Sequence, residues 1–467
     1  MKLSDNICAV ATPSGGAIGI IRISGPDSIS IVGTLFSRNI SEAKSHTLHY
    51  GVFASDSSMP IDDVMVAVFR APHSYTGENS VEIYCHGSRY IMSQIIRCLI
   101  EAGCRQADPG EYTRRAFING KMDLSQAEAV ADLIAASGKA SHDMALGQLR
   151  GNISNELSTL RDQLLKMTSL MELELDFSDH EELEFADRTE LTLLAHTIHD
   201  RITSLASSFR TGQAIKQGIP VAIIGKTNVG KSTLLNRLVG EEKAIVSDIH
   251  GTTRDIIEDT IDIHGVTFRF VDTAGLRTTD DVIEQIGIER SYSALSKAAI
   301  VLWVIDTPPS EEELSDITSR CKGKQVIAVI NKTDKQPSTP SSTSVHALSI
   351  PFSTLSISAL NGTGINELTD AIYAKSGIPE IGENDAIITS ARHYSSLLQA
   401  QESITRVLDG LEMNIPNDLL SEDLRQCLDA LADITGASSP PPRFSTTSSP
   451  TSASVNRQSD HTCKTFL

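Results

Sequence analysis

The sequence predicts a multidomain fold of α/β and α-helical parts: an N-terminal α/β domain, a central helical domain, and a second α/β module with a mostly parallel sheet inserted into the helical domain. Three observations predict it. Short β-rich runs bounded by Pro, Gly and Ser fill roughly the first 120 residues; Gly and Pro then nearly vanish through long helical patterns; and from Gly218 the rhythm becomes strand, loop, helix, until helical spacing returns after Asn384. A chain of 467 residues has room for about three domains at roughly 150 residues each.

In chain order, residues 17–24 (AIGIIRIS) and 64–69 (VMVAVF) read as strands, and 90–103 has helical spacing closed by a glycine. Apolar residues at three- and four-residue intervals predict helices over 124–136, 155–174 and 188–206. Between the last two, the acidic stretch 176–184 holds a single histidine, His180, without metal-ligand spacing, and reads as a solvated connector. Residues 219–224, 267–271, 299–305 and 325–330 are short and strongly apolar, as strands buried on both faces are. Helices are expected again over 393–411 and 418–432. From Ala437 the chain is Ser/Thr/Pro-rich and cannot bury enough apolar surface to order itself. The expected domains are 1–120, 121–217 and 381–436 for the two helical parts, 218–380 for the inserted module, and 437–467 for an atypical tail.

Composition narrows the function. The seven cysteines, Cys8, Cys85, Cys98, Cys104, Cys321, Cys427 and Cys463, form no C-x-x-C pair or zinc spacing, and no signal peptide is read, so reduced thiols in a cytoplasmic protein are expected. No run reaches the roughly 18 apolar residues of a membrane helix, so no membrane partner is expected. A net charge of −19 argues against nonspecific coating of nucleic acid, which needs clustered Lys and Arg, yet leaves a specific RNA partner open.

The stretch 225–232, GKTNVGKS, fits the phosphate-loop pattern G-x-x-x-x-G-K-[ST]. It follows a predicted strand and opens a predicted helix, so that the backbone around Asn228, Val229, Gly230, Lys231, Ser232 and Thr233 converges on phosphates. Lys231 would reach the β- and γ-phosphates and Ser232 would bind Mg²⁺. Asp272, Thr273, Ala274 and Gly275 end the next strand, where Asp272 can hold the metal's water shell and Gly275 can offer its N–H to a γ-phosphate. Asn331, Lys332 and Asp334 end another; the Asp334 carboxylate can accept from N1–H and the exocyclic amine of guanine, a donor pair that adenine lacks. Ser358, Ala359 and Leu360 can contact the base carbonyl through the backbone. The set in this order defines a Ras-like P-loop G domain for GTP. One departure matters: a Ras-like enzyme orients its water with a Gln just after D-x-x-G, and here that place is Leu276.

With these motifs stand ATPS at 11–14, IIRISG at 20–25, SYTGE at 74–78, HG at 86–87, PGEYTRRAF at 109–117, NGKMDLSQAEA at 119–129, IVSDIHGTTRD at 245–255, DTAGLR at 272–277 and RH at 392–393. Over about residues 1–436 the chain resembles the MnmE (TrmE) family of tRNA modification GTPases. The resemblance implies K⁺ in the part of an arginine finger when two G domains meet, with Asn228, Ser247, Ile249 and Thr252 around K⁺, and Ser232 and Thr253 on Mg²⁺. It implies that Glu284 orients the attacking water, although its own surroundings in the sequence read as an exposed helical carboxylate. It further implies an N-terminal folate-binding and dimerisation domain for 5-formyl-tetrahydrofolate or a related folate, with Arg22, Glu82 and Lys121 at the binding positions. The family product is a carboxymethylaminomethyl-type group on C5 of the wobble uridine, position 34, of certain tRNAs. Its partners are a second copy (homodimer), tRNA, and an FAD-containing MnmG-type protein that completes a heterotetramer.

Two other readings fit a GTP-binding chain: a ribosome-assembly GTPase, which would carry a KH-type G-x-x-G segment or basic stripe that the sequence does not show, and a regulatory scaffold that binds GTP without hydrolysing it. The resemblance also fails at one point. Family members end in Cys-Ile-Gly-Lys, whereas this chain changes composition after Gly436 and Cys463–Lys464 is the nearest echo, the pattern a shifted reading frame produces. The expectation is a surviving GTPase with compromised modification.

Overall fold

The computed structural model describes residues 5–55, 59–176, 188–241, 259–271, 295–335, 350–379, 382 and 385–436. Beyond Asp176, which ends a helix, the acidic connector of the sequence reading lies outside these residues, as does the Ser/Pro tail, including Cys463.

The first module contains β1 (Ile7–Val10), β2 (Ile18–Ser24), α1 (Ser28–Leu35), β3 (Thr47–Ala54), β4 (Pro60–Phe69), β5 (Ser80–His86), α2 (Arg89–Glu101), β6 (Arg105–Gln106) and α3 (Glu111–Ile118). Its six-stranded sheet runs β3-β4-β5-β2-β1-β6, antiparallel except for the β1–β6 pair. Strand alternation gives the sheet two unlike faces. Ile21, Ile23, Val64, Val66, Val68, Val81 and Ile83 pack against Val32, Met92, Ile95 and Leu99 of α1 and α2. On the other face, cross-strand neighbours form two rows, Tyr50, Met65, Tyr84 and Ile20, then Leu48, Ala67, Glu82 and Arg22.

A buried ionic knot fixes α3 to this sheet. Arg115, 3% exposed, donates to Asp5 Oδ1 at 2.6 Å, Glu111 Oε1 at 3.1 Å and Glu78 Oε2 at 3.2 Å, while Arg105 grips both Glu111 oxygens at 2.6 and 3.0 Å. The Arg105 hydrogen bonds, then the Asp108 N–H and Arg115, outweigh burial and hold the Glu111 carboxyl down at about 2.

The helical part starts with α4 (Leu124–Ala135), α5 (Lys139–Leu149), α6 (Asn152–Asp176) and α7 (Arg188–Gln217). Asp123 and Gln126 close a capping box at the start of α4. Two differences from the sequence reading appear. α5 is an additional helix, with weak amphipathic signal because, Met144 apart, its buried side is made of small and polar residues, Ser141, Ala145, Gly147 and Gln148. α7 continues to Gln217, past the expected end at 206, and buries Gly212 and Ile215 on the way; Gly212 does not end the helix but permits a close approach, since a Cβ there would lie 2.2 Å from the Ile388 carbonyl oxygen.

The second α/β module follows: β7 (Ile219–Ile224), α8 (Lys231–Glu241), β8 (Asp259–Ile263), β9 (Val266–Phe270), β10 (Ile300–Ile305), α9 (Glu311–Arg320), β11 (Gln325–Ile330), β12 (Ser353–Ser356) and α10 (Ile365–Ser376). The sheet order is β12-β11-β10-β7-β9-β8, parallel except for the β8–β9 hairpin. Apolar clusters cover both faces, as a parallel sheet requires. The chain then returns through α11 (Ala391–Glu412) and α12 (Asn417–Thr435). One hydrophobic core draws Leu160, Leu164, Met167, Ile198 and Ile202 from before this module together with Leu397, Ile404, Leu424 and Leu431 from after it. Among the described residues no helix is long and apolar enough to cross a membrane.

The ionic knot sets an acid sensitivity. The folded-state carboxyl of Glu111 titrates at about 2 against an ordinary 4.5, so its stabilisation is complete above about 4.5 and is lost as pH falls toward 2. Thermal melts from about pH 7 to about pH 3 should show a steep acid-side loss of Tm that Glu111→Gln makes shallower, while the variant is about 3 kcal/mol less stable near neutrality because the buried Arg115, still paired with Asp5 and Glu78, loses one of its three carboxylates and Arg105 one of its two. An unchanged acid slope in Glu111→Gln would contradict this.

Candidate functional site

At the C-terminal edge of the second sheet, the turn from β7 into α8 carries the phosphate-loop sequence. Two glycines are required by what surrounds them. A Cβ on Gly225 (φ +149) would sit 2.2 Å from Val304 O, and one on Gly230 (φ +96) 2.3 Å from Asn331 Nδ2. Asn228 takes a left-handed φ of 60°, which Asn tolerates better than most side chains. Lys231 begins α8, with Ser232 and Thr233 in the same first turn, where unpaired backbone N–H groups and the helix dipole favour an anion. Its Nζ donates to Gly225 O at 2.7 Å and Lys226 O at 2.6 Å, and burial pushes its pKa down.

The ends of β11 and β12 close on this loop. Asn331, 3% exposed, donates from Nδ2 to Val229 O at 2.8 Å and accepts the Ala359 N–H on Oδ1 at 3.0 Å. Its carboxamide therefore joins the phosphate loop to both base-side loops. Lys332 (φ 66) donates to Asn228 O at 2.5 Å and to Asp306 Oδ2 at 2.8 Å. Ser358 Oγ donates to Asp334 Oδ1 at 2.7 Å, the largest cause of that exposed carboxyl's lowered pKa. Leu360 is exposed beside them. Asn228, Val229, Gly230, Lys231, Ser232, Thr233, Asn331, Lys332, Asp334, Ser358, Ala359 and Leu360 thus belong to one assembly, with a helix N-terminus at one end and an acidic side chain at the other. Ser247, Ile249, Thr252, Thr253, Asp272, Thr273, Ala274, Gly275 and Glu284 lie outside the described residues.

On the open face of the first sheet, Arg22 and Glu82 pair at 2.7 Å, and Tyr84 OH donates to Glu82 Oε2 at 2.8 Å. The Arg22 guanidinium lies 5.6 and 5.7 Å from the ring centres of Tyr75 and Tyr112, within cation–π range, and Tyr112 OH donates to Arg22 O at 2.6 Å. Lys121 Nζ donates to Pro72 O at 3.1 Å, and its stem packs against Gly77 at the far end of the loop that carries Tyr75. Sequence reasoning missed the three tyrosines, although Tyr75 and Tyr112 sit inside quoted motifs and Tyr84 shares the Glu82 face by strand alternation.

A third cluster joins α4, α11 and α12. Arg392 donates from Nε to Glu128 Oε1 at 2.9 Å and caps the end of α12 through Asp433 O at 2.5 Å and Ile434 O at 3.0 Å, while the fully buried His393 places Nε2 3.1 Å from Glu128 Oε2. Burial raises the Glu128 carboxyl, but His393 and Arg392 outweigh it and hold it at about 2. Among the described residues, no group of three or more His, Cys, Asp and Glu side chains has the arrangement to hold a metal ion.

A phosphate loop opening a helix, with an Asn-Lys-x-Asp turn and a Ser-Ala turn on the neighbouring strand ends of a mostly parallel sheet, defines a P-loop GTPase. Two family models match the chain, "GTP-binding protein TrmE N-terminus" over residues 6–121 and "MnmE helical domain" over residues 124–440. A protein of Phocaeicola vulgatus named tRNA modification GTPase MnmE is 51% identical, covering 92% of this chain and 94% of its own length. Proteins with the same name from Bacteroides fragilis and Christiangramia forsetii are 52% and 46% identical, covering 92% and 93% of this chain and 95% and 96% of theirs. The chain belongs to the MnmE family of tRNA modification GTPases. Among solved structures, the G domain of the T. maritima FeoB iron transporter matches at 22% identity over 34% of this chain and 98% of its own, with a TM-score of 0.26.

Asn331→Ala removes both bonds between the loops. At about 1–1.5 kcal/mol for each buried hydrogen bond, fluorescent GDP titration should show binding weakened about 30- to 150-fold. Unchanged affinity would mean that the loops are held by other contacts.

Proposed function

We propose that this GTPase is K⁺-dependent and that, as a homodimer with an FAD-containing MnmG-type partner, it adds a carboxymethylaminomethyl-type group to C5 of the wobble uridine, position 34, of certain tRNAs. The observation that carries the reading is the convergence of Asn228–Thr233, Asn331–Asp334 and Ser358–Leu360 on one sheet edge, in a chain half identical to proteins named tRNA modification GTPases. Lys231 and the first turn of α8 bind the β- and γ-phosphates, and Asp334 selects guanine.

The donor set fits two cations. Ser232, in the first turn of α8, would bind Mg²⁺ with Thr253. Asn228 commits its backbone oxygen to Lys332 and its side chain to no hydrogen bond among the described residues, which leaves its amide oxygen for K⁺ beside Ser247, Ile249 and Thr252. K⁺ there would supply the positive charge that an arginine finger supplies elsewhere. Asp272, Thr273, Ala274 and Gly275 complete the γ-phosphate side, and Glu284 orients the attacking water.

In the first module, the Arg22–Glu82 pair, Lys121 and the flat rings of Tyr75 and Tyr112 suit a folate: acceptors for its pterin N–H groups, cations for its glutamate carboxylates, and aromatic faces for its ring. When bound, 5-formyl-tetrahydrofolate or a related folate would supply a one-carbon unit. Around this pair Ile18, Leu48, Tyr50 and Met65 are 62, 51, 57 and 42% exposed, an apolar sheet face that a second copy would cover. The domains follow as 1–120, 121–217 with 381–436, and 218–380, in the cytoplasm.

Multiple-turnover hydrolysis tests the reading. Exchanging Na⁺ for K⁺ should slow GTP turnover at least about tenfold, and Glu284→Ala should lower kcat about 10²- to 10⁴-fold while GDP affinity holds. Equal slow rates in both salts would favour a GTP-binding scaffold.

A further inference from the structure

The inserted module is joined to the helical part by more than its two chain connections. The loop between α4 and α5 packs on the turn of the β8–β9 hairpin. Ala140 N donates to Gly265 O at 2.7 Å, and Ser137 Oγ lies 3.2 Å from Thr267 Oγ1. Gly138 sits where nothing larger fits as the backbone stands: a Cβ would be 2.6 Å from Asp262 Oδ2, 2.7 Å from Thr267 Oγ1 and 3.1 Å from Gly265 O. Asp262 is itself committed, since its Oδ1 accepts the Gly265 N–H at 2.7 Å. On its other side the hairpin turn is tied to α10, with His264 Nε2 at 2.8 Å from Asp370 Oδ1 and its ring edge-on to Tyr373.

The same bracket holds the chain crossings. Asp132 of α4 pairs with Lys216 in the last turn of α7 at 2.7 Å, and Gln213 donates to Thr389 O at 2.5 Å, joining the segment that enters the module to the segment that leaves it. With both crossings latched, the hairpin contact is a third point of attachment, and three points define an orientation where two leave a pivot.

The hairpin is also placed to report on the nucleotide. β8 begins just after the 245–255 motif, β9 ends just before Asp272, and β9 pairs with β7, which leads into the phosphate loop. We propose that the α4–α5 loop, with Gly138 at its end as the N-cap of α5, is a positioning contact through which the β8–β9 hairpin passes the nucleotide state of the GTPase site to the helical domain. This rests on the reading of 225–232 as the GTP site. Because such coupling is reciprocal, whatever engages the helical domain biases nucleotide binding by the same factor.

Hydrogen exchange on the full-length protein, with bound GDP and then with a non-hydrolysable GTP analogue, tests it at peptides spanning 136–145. Occupancy by each nucleotide is first fixed by fluorescence titration. The expected result is an exchange rate at this loop that differs at least about threefold between the two states. In Gly138→Val the difference should vanish while GDP affinity stays within about twofold. Should that variant not fold, Ser137→Ala with Thr267→Val removes the hydroxyl contact at nearly constant volume and should at least halve the difference. Equal exchange in the parent with both nucleotides bound overturns the proposal alone, as does a full difference in the folded variants. Failure of the parent to bind either nucleotide would sink the site reading and this proposal with it.

Discussion

One hydrophobic core shared by helices on both sides of the G module constrains everything else in this chain. Leu160, Leu164 and Ile198 can be buried only if Leu397, Ile404 and Leu431 return to meet them, so the module between must begin and end at neighbouring points. Its β7 start and its exit toward α11 are pinned together, and Gly212 against the Ile388 carbonyl shows how closely.

The electrostatics follow a similar division. In the first module carboxylates are paired with Arg, and at the α4–α11–α12 junction with His393 and Arg392, so that Glu111 and Glu128 are held down at about 2. At the sheet edge the charged groups are spent differently. Lys231 is held by carbonyl oxygens with its pKa pushed down by burial, and Asp334 is exposed and held ionised by Ser358. A cation inside a glycine cradle and an exposed carboxylate on the next loops are what a nucleotide with phosphates and a guanine base requires.

Much of this was legible in the sequence because it is local. The phosphate loop, the Asn-Lys-x-Asp turn and the apolar strands 219–224 and 325–330 each lie within a few consecutive residues and coincide with the observed elements. What was not legible is long-range. Asn331 reads as a base contact, yet its carboxamide reaches Val229, 102 residues away, and Arg115 meets Asp5 across 110. Tyr75, Tyr84 and Tyr112 become one cluster only when three segments meet at Arg22, and α5 is hidden because its buried face, Met144 apart, is small and polar. Glu128 gains its meaning only from the Arg392–His393 pair on a distant helix.

The central claim is that hydrolysis in the inserted module drives the chemistry on tRNA. Its most direct measurement is nucleoside analysis of position 34 after reconstitution of the full chain with the proposed flavin partner, tRNA and folate, comparing GTP with a non-hydrolysable analogue at equal occupancy. The account predicts modified wobble uridine with GTP, at a yield lowered by the missing Cys-Ile-Gly-Lys ending, and essentially none with the analogue. Equal modification with both would show that binding suffices and that hydrolysis only resets the enzyme.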